Sequence, residues 1–328
     1  MSRALPDARH PLSEDDAETA FAHILDGLVS DEDLAAFLTV LADRGETIIE
    51  VTAAARALRA RQSYSPQAPD AIDVCGTGGD GQHSLNVSTA VSLVVAACGV
   101  KVAKHGNRAA SSASGAADVL SALGVPELQL DRLGPCLEAV GITFLHAARH
   151  HPAMARVAPV RRALGRRTIF NMLGPLANPA GVKRQLVGVF APGALPLMAG
   201  ALNALGSTRA LVIHGDGFDE LAVSGDSQTM LVADGRVSEA IIRPEDAGIA
   251  RHPASAIEGG TPDYNATRML ALLGGQADAY RDIVVLNAAA ALRVARPSLD
   301  LLSAAAEAAI AIDSGAAADT LARWKAFQ

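Results

Sequence analysis

Aromatic side chains are scarce, 3% of the 328 residues. Base-stacking nucleic-acid modules depend on such rings, so the shortage argues against them and leaves a core of aliphatic side chains. Positive charge is also short: 28 Lys and Arg face 35 Asp and Glu, a formal net charge of −7. That balance suits no polyanionic macromolecule, although a local basic pocket remains allowed. Only three cysteines occur, Cys75, Cys98 and Cys136, far apart and without a C-x-x-C. Neither a disulfide framework nor a thiolate zinc site is expected. No apolar run has the length of a bilayer span: Ala90 to Val100 contains Ser92 and stops at Lys101. The opening MSRALPDARHPLSEDD has no apolar stretch of the signal-peptide kind. The expected setting is cytoplasmic, with no nucleic-acid and no membrane partner.

What is present is an ordinary globular composition, half hydrophobic and 19% charged. Residues 13 to 61 read as helices only. Ser13 with Asp16 resembles an N-cap before Ala17 to Leu28, Ser30 with Asp33 another before Leu34 to Leu41, and a third helix spans Ile48 to Arg61. QSYSPQAPD, residues 62 to 70, has the composition of a linker. Beyond it, short β-branched runs alternate with Ala/Leu-rich segments. Strands are expected at Ile72–Cys75, Val100–Ala103, Ile142–Leu145, Gln185–Phe190 and Ala210–His214. Helices are expected at Ser88–Cys98, Ala116–Leu123, Leu133–Val140, Leu195–Leu205, Asn265–Leu273, Ile283–Val294 and Leu299–Ser314. This spacing predicts an α/β fold: a small all-α domain (1–65, joined by helices from about 152–178) hinged to a larger domain (66–328) with a mostly parallel sheet covered by helices.

The first strand runs into DVCGTGGDGQHSLNVSTA, with glycines at 76, 78, 79 and 81, and then into a helix that Asn86, Ser88 or Thr89 could cap. Glycine admits a phosphate close to backbone N–H groups, and the helix N-terminus adds partial positive charge. Gly76, Gly78 and Gly81 spell G-x-G-x-x-G, but no acid lies about 20 residues on to hold a dinucleotide ribose. Asp80 inside the loop would repel a bare pyrophosphate. It makes sense beside magnesium or a sugar hydroxyl. An unliganded tight turn is the bland alternative.

The second strand leads into KHGNRAASSASGAAD, where Lys104, His105, Asn107, Arg108, Ser111 and Ser112 crowd together. Two cations and several hydroxyls suit a pyrophosphate or phosphosugar, and a solvated polar loop reads equally well from this segment alone. Downstream, DGFDEL places Asp219 beside Glu220, a pair that could reach a hard cation and that otherwise reads as a charged turn. HAARHHPAMARVAPVRRALGRR, residues 146 to 167, is basic and helical from Pro152. His146 and His150, four apart, mimic a metal pair without a third ligand. TIFNMLGPLANP, residues 168 to 179, reads as a loop and hinge.

Taken in order, GTGGD at Gly76–Asp80, NVST at Asn86–Thr89, KHGNRAASS at Lys104–Ser112, HHPAM at His150–Met154, VRRALG at Val160–Gly165, TIFNMLGPLANPA at Thr168–Ala180 and DGFDEL at Asp216–Leu221 resemble the anthranilate phosphoribosyltransferase family of tryptophan biosynthesis, from about residue 13 to the end. The resemblance implies a homodimer that transfers a phosphoribosyl group from phosphoribosyl pyrophosphate to the amino group of anthranilate, assisted by Mg2+. By position it implies donor binding by Gly76, Gly79, Asp80, Ser84, Asn86, Val87, Ser88, Thr89, Lys104, His105, Gly106, Asn107, Arg108, Ala109, Ala110, Ser111, Ser112 and Ala116. It implies anthranilate binding by Gly76, Asn107 and Arg161, and magnesium binding by Ser88, Asp219 and Glu220. No general base is implied; Arg161, Asn107 and Lys104 would position the reactants. Arg162 is second choice for the acceptor carboxylate. Ala116 stands where the family pattern often has Ser. Two other readings stay open here: a pyrimidine nucleoside phosphorylase-like enzyme, and a non-catalytic nucleic-acid-binding relative on the same scaffold.

Overall fold

The computed structural model describes residues 3–109 and 113–328. Three helices open the chain, α1 (Glu14–Leu25), α2 (Asp31–Arg44) and α3 (Ile48–Arg59). Each begins where a hydroxyl accepts a free N–H of the first turn: Ser13 from Asp16, Ser30 from Asp33, Thr47 from Glu50. The first two start earlier than Ala17 and Leu34. Their acidic opening turns, which carry no apolar pattern, are helical because they complement the positive end of the helix.

Seven strands form one sheet: β1 (Ile72–Gly76), β2 (Val102–Gly106), β3 (Ile142–His146), β4 (Arg184–Gly188), β5 (Arg209–Gly215), β6 (Ser227–Ala233) and β7 (Arg236–Ile242). Their order is β3-β2-β1-β4-β5-β6-β7. The pairs from β3 to β5 are parallel, and β5-β6-β7 is antiparallel. The parallel strands lie near their expected positions. The β6–β7 hairpin was not expected from the sequence. Its signal is Asp234-Gly235, both at positive φ in a two-residue turn. β7 is exposed along most of its length, and most of its apolar residues gather at its end, Ala240–Ile242, instead of alternating as in a half-buried strand.

The remaining helices are α4 (Val87–Ala97), α5 (Ala116–Ala122), α6 (Leu133–Val140), the single turn α7 (Ala147–His150), α8 (Met154–Leu164), the short α9 (Leu173–Leu176), α10 (Ala194–Ala204), α11 (Pro262–Leu273), α12 (Ala279–Ala295), α13 (Leu301–Asp313) and α14 (Ala316–Ala326). Two departures concern α9, inside the segment expected to be a loop, and α14, whose buried Trp324 anchors it after the turn at Gly315. Among the described residues no single helix is long and apolar enough to cross a membrane.

Strand side chains alternate between two cores. Ile72, Val74, Leu186 and Ile213 face α4 and α12 in one. Cys75, Val187, Val189 and Val212 face α10 in the other, which continues into the bundle of α1, α2 and α3 and takes in α8 and α9. The helical part therefore shares its core with one face of the sheet. The strand order reverses between β1 and β4, and a parallel sheet opens a ligand crevice at the C-terminal ends of such a pair.

Candidate active site

β1 ends in Gly76, whose register partner is Gly188 at the end of β4. Both positions are glycine for space: a Cβ on Gly76 would strike the Asp219 carboxylate, and one on Gly188 its backbone carbonyl. Asp219 is thus seated on the two strand ends at the switch point. Its Oδ2 accepts from Gly78 N–H at 2.8 Å, and its own N–H donates to Asp80 Oδ2 at 3.3 Å. Gly78 and Gly79 turn with φ of 65° and 73°, a region that side chains with a Cβ disfavour. Thr77 N–H donates to Gly188 O at 2.9 Å, so the loop is tied down at both ends.

Glu220 is buried, with the Ser88 backbone and Lys104 near its carboxylate. Lys104 lies beneath it. It belongs to β2 rather than to the loop that follows, and its buried Nζ donates to Val74 O at 2.7 Å and Ser88 Oγ at 3.1 Å. Burial, opposed by Asp73, pushes the Lys104 ammonium below its usual range. Burial and the Asp80 charge push Asp219 up to about 7. Burial and then Asp219 push Glu220 well above the usual carboxylate range, with Lys104 opposing. Among the described residues no three His, Cys, Asp or Glu side chains converge to hold an ion unaided. Magnesium seldom needs that: it takes one or two carboxylates and completes its shell with water and phosphate oxygens. Adjacent acids seated beside a glycine loop fit that ion.

Ser84 bridges to Glu258, Val87 is buried, and Thr89 is buried with its Oγ1 unpartnered. Asn86 stands at the N-cap of α4 without capping it. Its amide instead bonds Ser114 O and Oγ, both at 3.2 Å, and Asn265 Nδ2 at 2.9 Å, tying the glycine loop to the segment before α5 and to α11. The His105 ring is buried and turned away from the loop: Nδ1 donates to Gly174 O at 2.9 Å, and the ring meets His151 edge-on. Burial and His151 lower its pKa to about 3. Gly106 packs under Phe144 and Ala116. Asn107 is exposed, with its Oδ1 held. Arg108 pairs with Asp118 at 3.1 Å, and Ala109 N–H donates to the same carboxylate at 2.8 Å. Ala116 opens α5. Ala110, Ser111 and Ser112 lie outside the described residues.

Four arginines divide between roles around the end of α8. Arg161 is half-buried with its guanidinium 5.8 Å from the Phe170 ring centroid, and burial lowers its pKa. Among the described residues no carboxylate pairs with it. Arg162 is exposed, and Arg166 pairs with Asp43 at 2.7 Å. Arg167 was not singled out in the sequence, yet it stacks on Phe190 at 4.0 Å and donates to Gly79 O. It joins the segment after α8 to the glycine loop. Gly188 and Arg167 carry no local motif of their own; their role arises from what folds against them.

A glycine loop at the switch point, an adjacent acidic pair and a half-buried arginine on a helix of the bundle are the features the fold assembles here. The chain matches the glycosyl transferase family, a/b domain, over residues 68–318, and the glycosyl transferase family, helical bundle domain, over residues 6–61. A curated anthranilate phosphoribosyltransferase of Novosphingobium aromaticivorans is 54% identical over 98% of each chain. The crystal structure of the anthranilate phosphoribosyltransferase from Thermus thermophilus is 42% identical, with a TM-score of 0.92 over 97% of this chain and 96% of that one. The Saccharomyces cerevisiae enzyme, in complex with PRPP and Mg, is 26% identical with a TM-score of 0.86 over 95% and 92%. The chain belongs to the anthranilate phosphoribosyltransferase family, and the nucleoside phosphorylase-like and nucleic-acid-binding readings are not favoured.

Proposed function

We propose that this protein transfers the phosphoribosyl group of 5-phosphoribosyl 1-pyrophosphate to the amino group of anthranilate, releasing pyrophosphate, as a homodimer in the cytoplasm. The observation that carries the reading is the seat of Asp219 over Gly76 and Gly188, against the glycine loop and with buried Glu220 next to it. Acids in that place would repel a diphosphate unless a cation lies between them. Asp219, Glu220 and the Ser88 hydroxyl would hold Mg2+, which when bound supplies charge neutralisation to the departing pyrophosphate.

The protein's own part is positioning. The N–H groups of the loop and the N-terminus of α4 take the diphosphate. Lys104 stays beneath them, fixing Ser88 and contributing a buried positive charge that needs no reorganisation as negative charge develops. Arg161 receives the acceptor carboxylate; a half-buried guanidinium without an anion is prepared for one. The neutral aromatic amine needs orientation rather than deprotonation before attack. Exposed Leu28, Ile48 and Ile49 on the bundle offer apolar surface to a second copy, and light scattering reads the dimer.

Incubation with donor, Mg2+ and anthranilate tests the activity. Anthranilate fluorescence should disappear only when all components are present and should persist when Mg2+ is chelated. Persistent fluorescence in the complete mixture, or phosphate-dependent cleavage of thymidine, overturns the reading.

A further inference from the structure

His146 ends β3, in register with Gly106, the last residue of β2. Parallel pairing therefore brings its ring beside Asn107. Nε2 lies 3.1 Å from Asn107 Oδ1. The Arg108 backbone N–H reaches the same atom at 2.9 Å. A backbone N–H only donates, so the atom it meets is the amide oxygen, and the orientation of this side chain is decided. His146 must then donate through Nε2–H. Both lone pairs of Oδ1 are engaged, and the NH2 end is the end left to act. On its other side the ring presents Nδ1 to Glu127 Oε1 at 3.5 Å, and Arg149 approaches the same carboxylate at 3.4 Å. The ring is mostly buried, 15% exposed, and stands 6.1 Å from Phe144.

We propose that His146 is a positioning residue for the acceptor. It holds Asn107 with its amide NH2 directed outward, as a hydrogen-bond donor for the carboxylate of the aromatic amine. Without it, only the Arg108 N–H restrains the side chain, and the amide can turn its oxygen toward the carboxylate, where two acceptors repel. The inference rests on the functional reading above, since it takes Asn107 to face the acceptor. The His146 ring bonds Glu127 and Asn107 and none of the groups around Asp219 and Lys104, so its loss should spare the donor.

The test is steady-state kinetics with each substrate varied in turn, together with thermal melting. His146→Phe keeps an aromatic ring and removes the donor. The KM for anthranilate should rise roughly 10-fold, with donor KM and melting temperature unchanged. His146→Gln, which keeps an N–H, should recover part of the loss. In an Asn107→Ala background His146→Phe should add nothing. Should His146→Phe not fold, His146→Leu removes the same donor with a smaller side chain. An unchanged anthranilate KM, an equal rise for both substrates, or a full additional loss in the Asn107→Ala background overturns the inference. Wild-type protein that leaves anthranilate untouched overturns the functional reading and this inference with it. Wild-type turnover with a null His146→Phe overturns this inference alone.

Discussion

The two sides of the cleft proposed for donor and acceptor are built on opposite plans. Around the glycine loop, polar groups are spent on one another: Asp219 on Gly78, Asp80 on the Asp219 N–H, Lys104 on Val74 and Ser88, Asn86 on Ser114 and Asn265. Arg161 stands on one helix of the bundle beside the Phe170 ring, and among the described residues no carboxylate pairs with it. A site for a diphosphate must gather charge and hold it rigid before the ligand arrives. A site for a single carboxylate needs one guanidinium left available. Substitutions on the donor side should therefore mix binding with stability, whereas those on the acceptor side should separate them.

The largest effect should come from Asp219→Asn with Glu220→Gln. Turnover should fall by orders of magnitude and the Mg2+ dependence of donor binding should weaken, while the amides keep the packing. Calorimetry of donor binding with and without Mg2+ checks this, and undiminished magnesium dependence would refute the metal role. Arg161→Ala should come next. Loss of a charged bidentate contact costs about 2–4 kcal/mol, a fall of roughly 30- to 1000-fold in kcat/KM for anthranilate. Donor affinity measured without anthranilate should hold, and Arg161→Lys should rescue incompletely because an ammonium lacks the planar fork. A defect confined to Arg162→Ala would show that the wrong arginine has been chosen.

Acid should strain the contacts that hold the segment between α8 and β4. His105 and His151 are buried neutral, with burial the first cause, at about 3 and about 4 against 6.5 in the free side chain, and they bond Gly174 and Ala177 in the segment between α8 and β4. Their folded values are depressed, so the unfolded chain binds more protons below 6.5. Stability is then full above that pH, falls as pH drops, and levels off only below the folded values. At pH 5 each ring should account for about 2 kcal/mol of loss. Denaturant titrations at pH 7 and pH 5 read this, and a flat profile would contradict it.

Gly188→Ala should push a methyl group into the Asp219 backbone, at a cost of about 1–3 kcal/mol. Melting temperature and donor affinity should fall together and the anthranilate KM should stay, which is the mixed signature of the donor side. The smallest effect is expected for Ala116→Ser at the start of α5. An added hydroxyl contributes at most about 1 kcal/mol, read as an equal or lower donor KM. A change confined to anthranilate would place that loop on the wrong side of the comparison.

Much of the architecture was legible because it is written locally. Ser13 and Ser30 announce their helices, and β-branched runs such as Ile72–Cys75 announce buried parallel strands. The β6–β7 hairpin was less legible because its outer strand buries little. Motif residues were easy to find but not always to place. Asn86 looked like a cap and is a brace, His105 was read within a polar loop and its ring bonds Gly174, and Lys104 looked like a loop cation and lies in a strand.

What the sequence by itself determined was chemistry carried by residue type and short spacing: the glycine loop before a helix, the adjacent acids, the helical start and the alternation of strand and helix. Tertiary structure alone decided what requires distant segments to meet. It placed Asp219 on Gly76 and Gly188, Arg167 on Gly79, and His146 on Asn107. Local preferences act over a few residues, whereas these contacts depend on strand order and register, which the packing of the whole sheet selects.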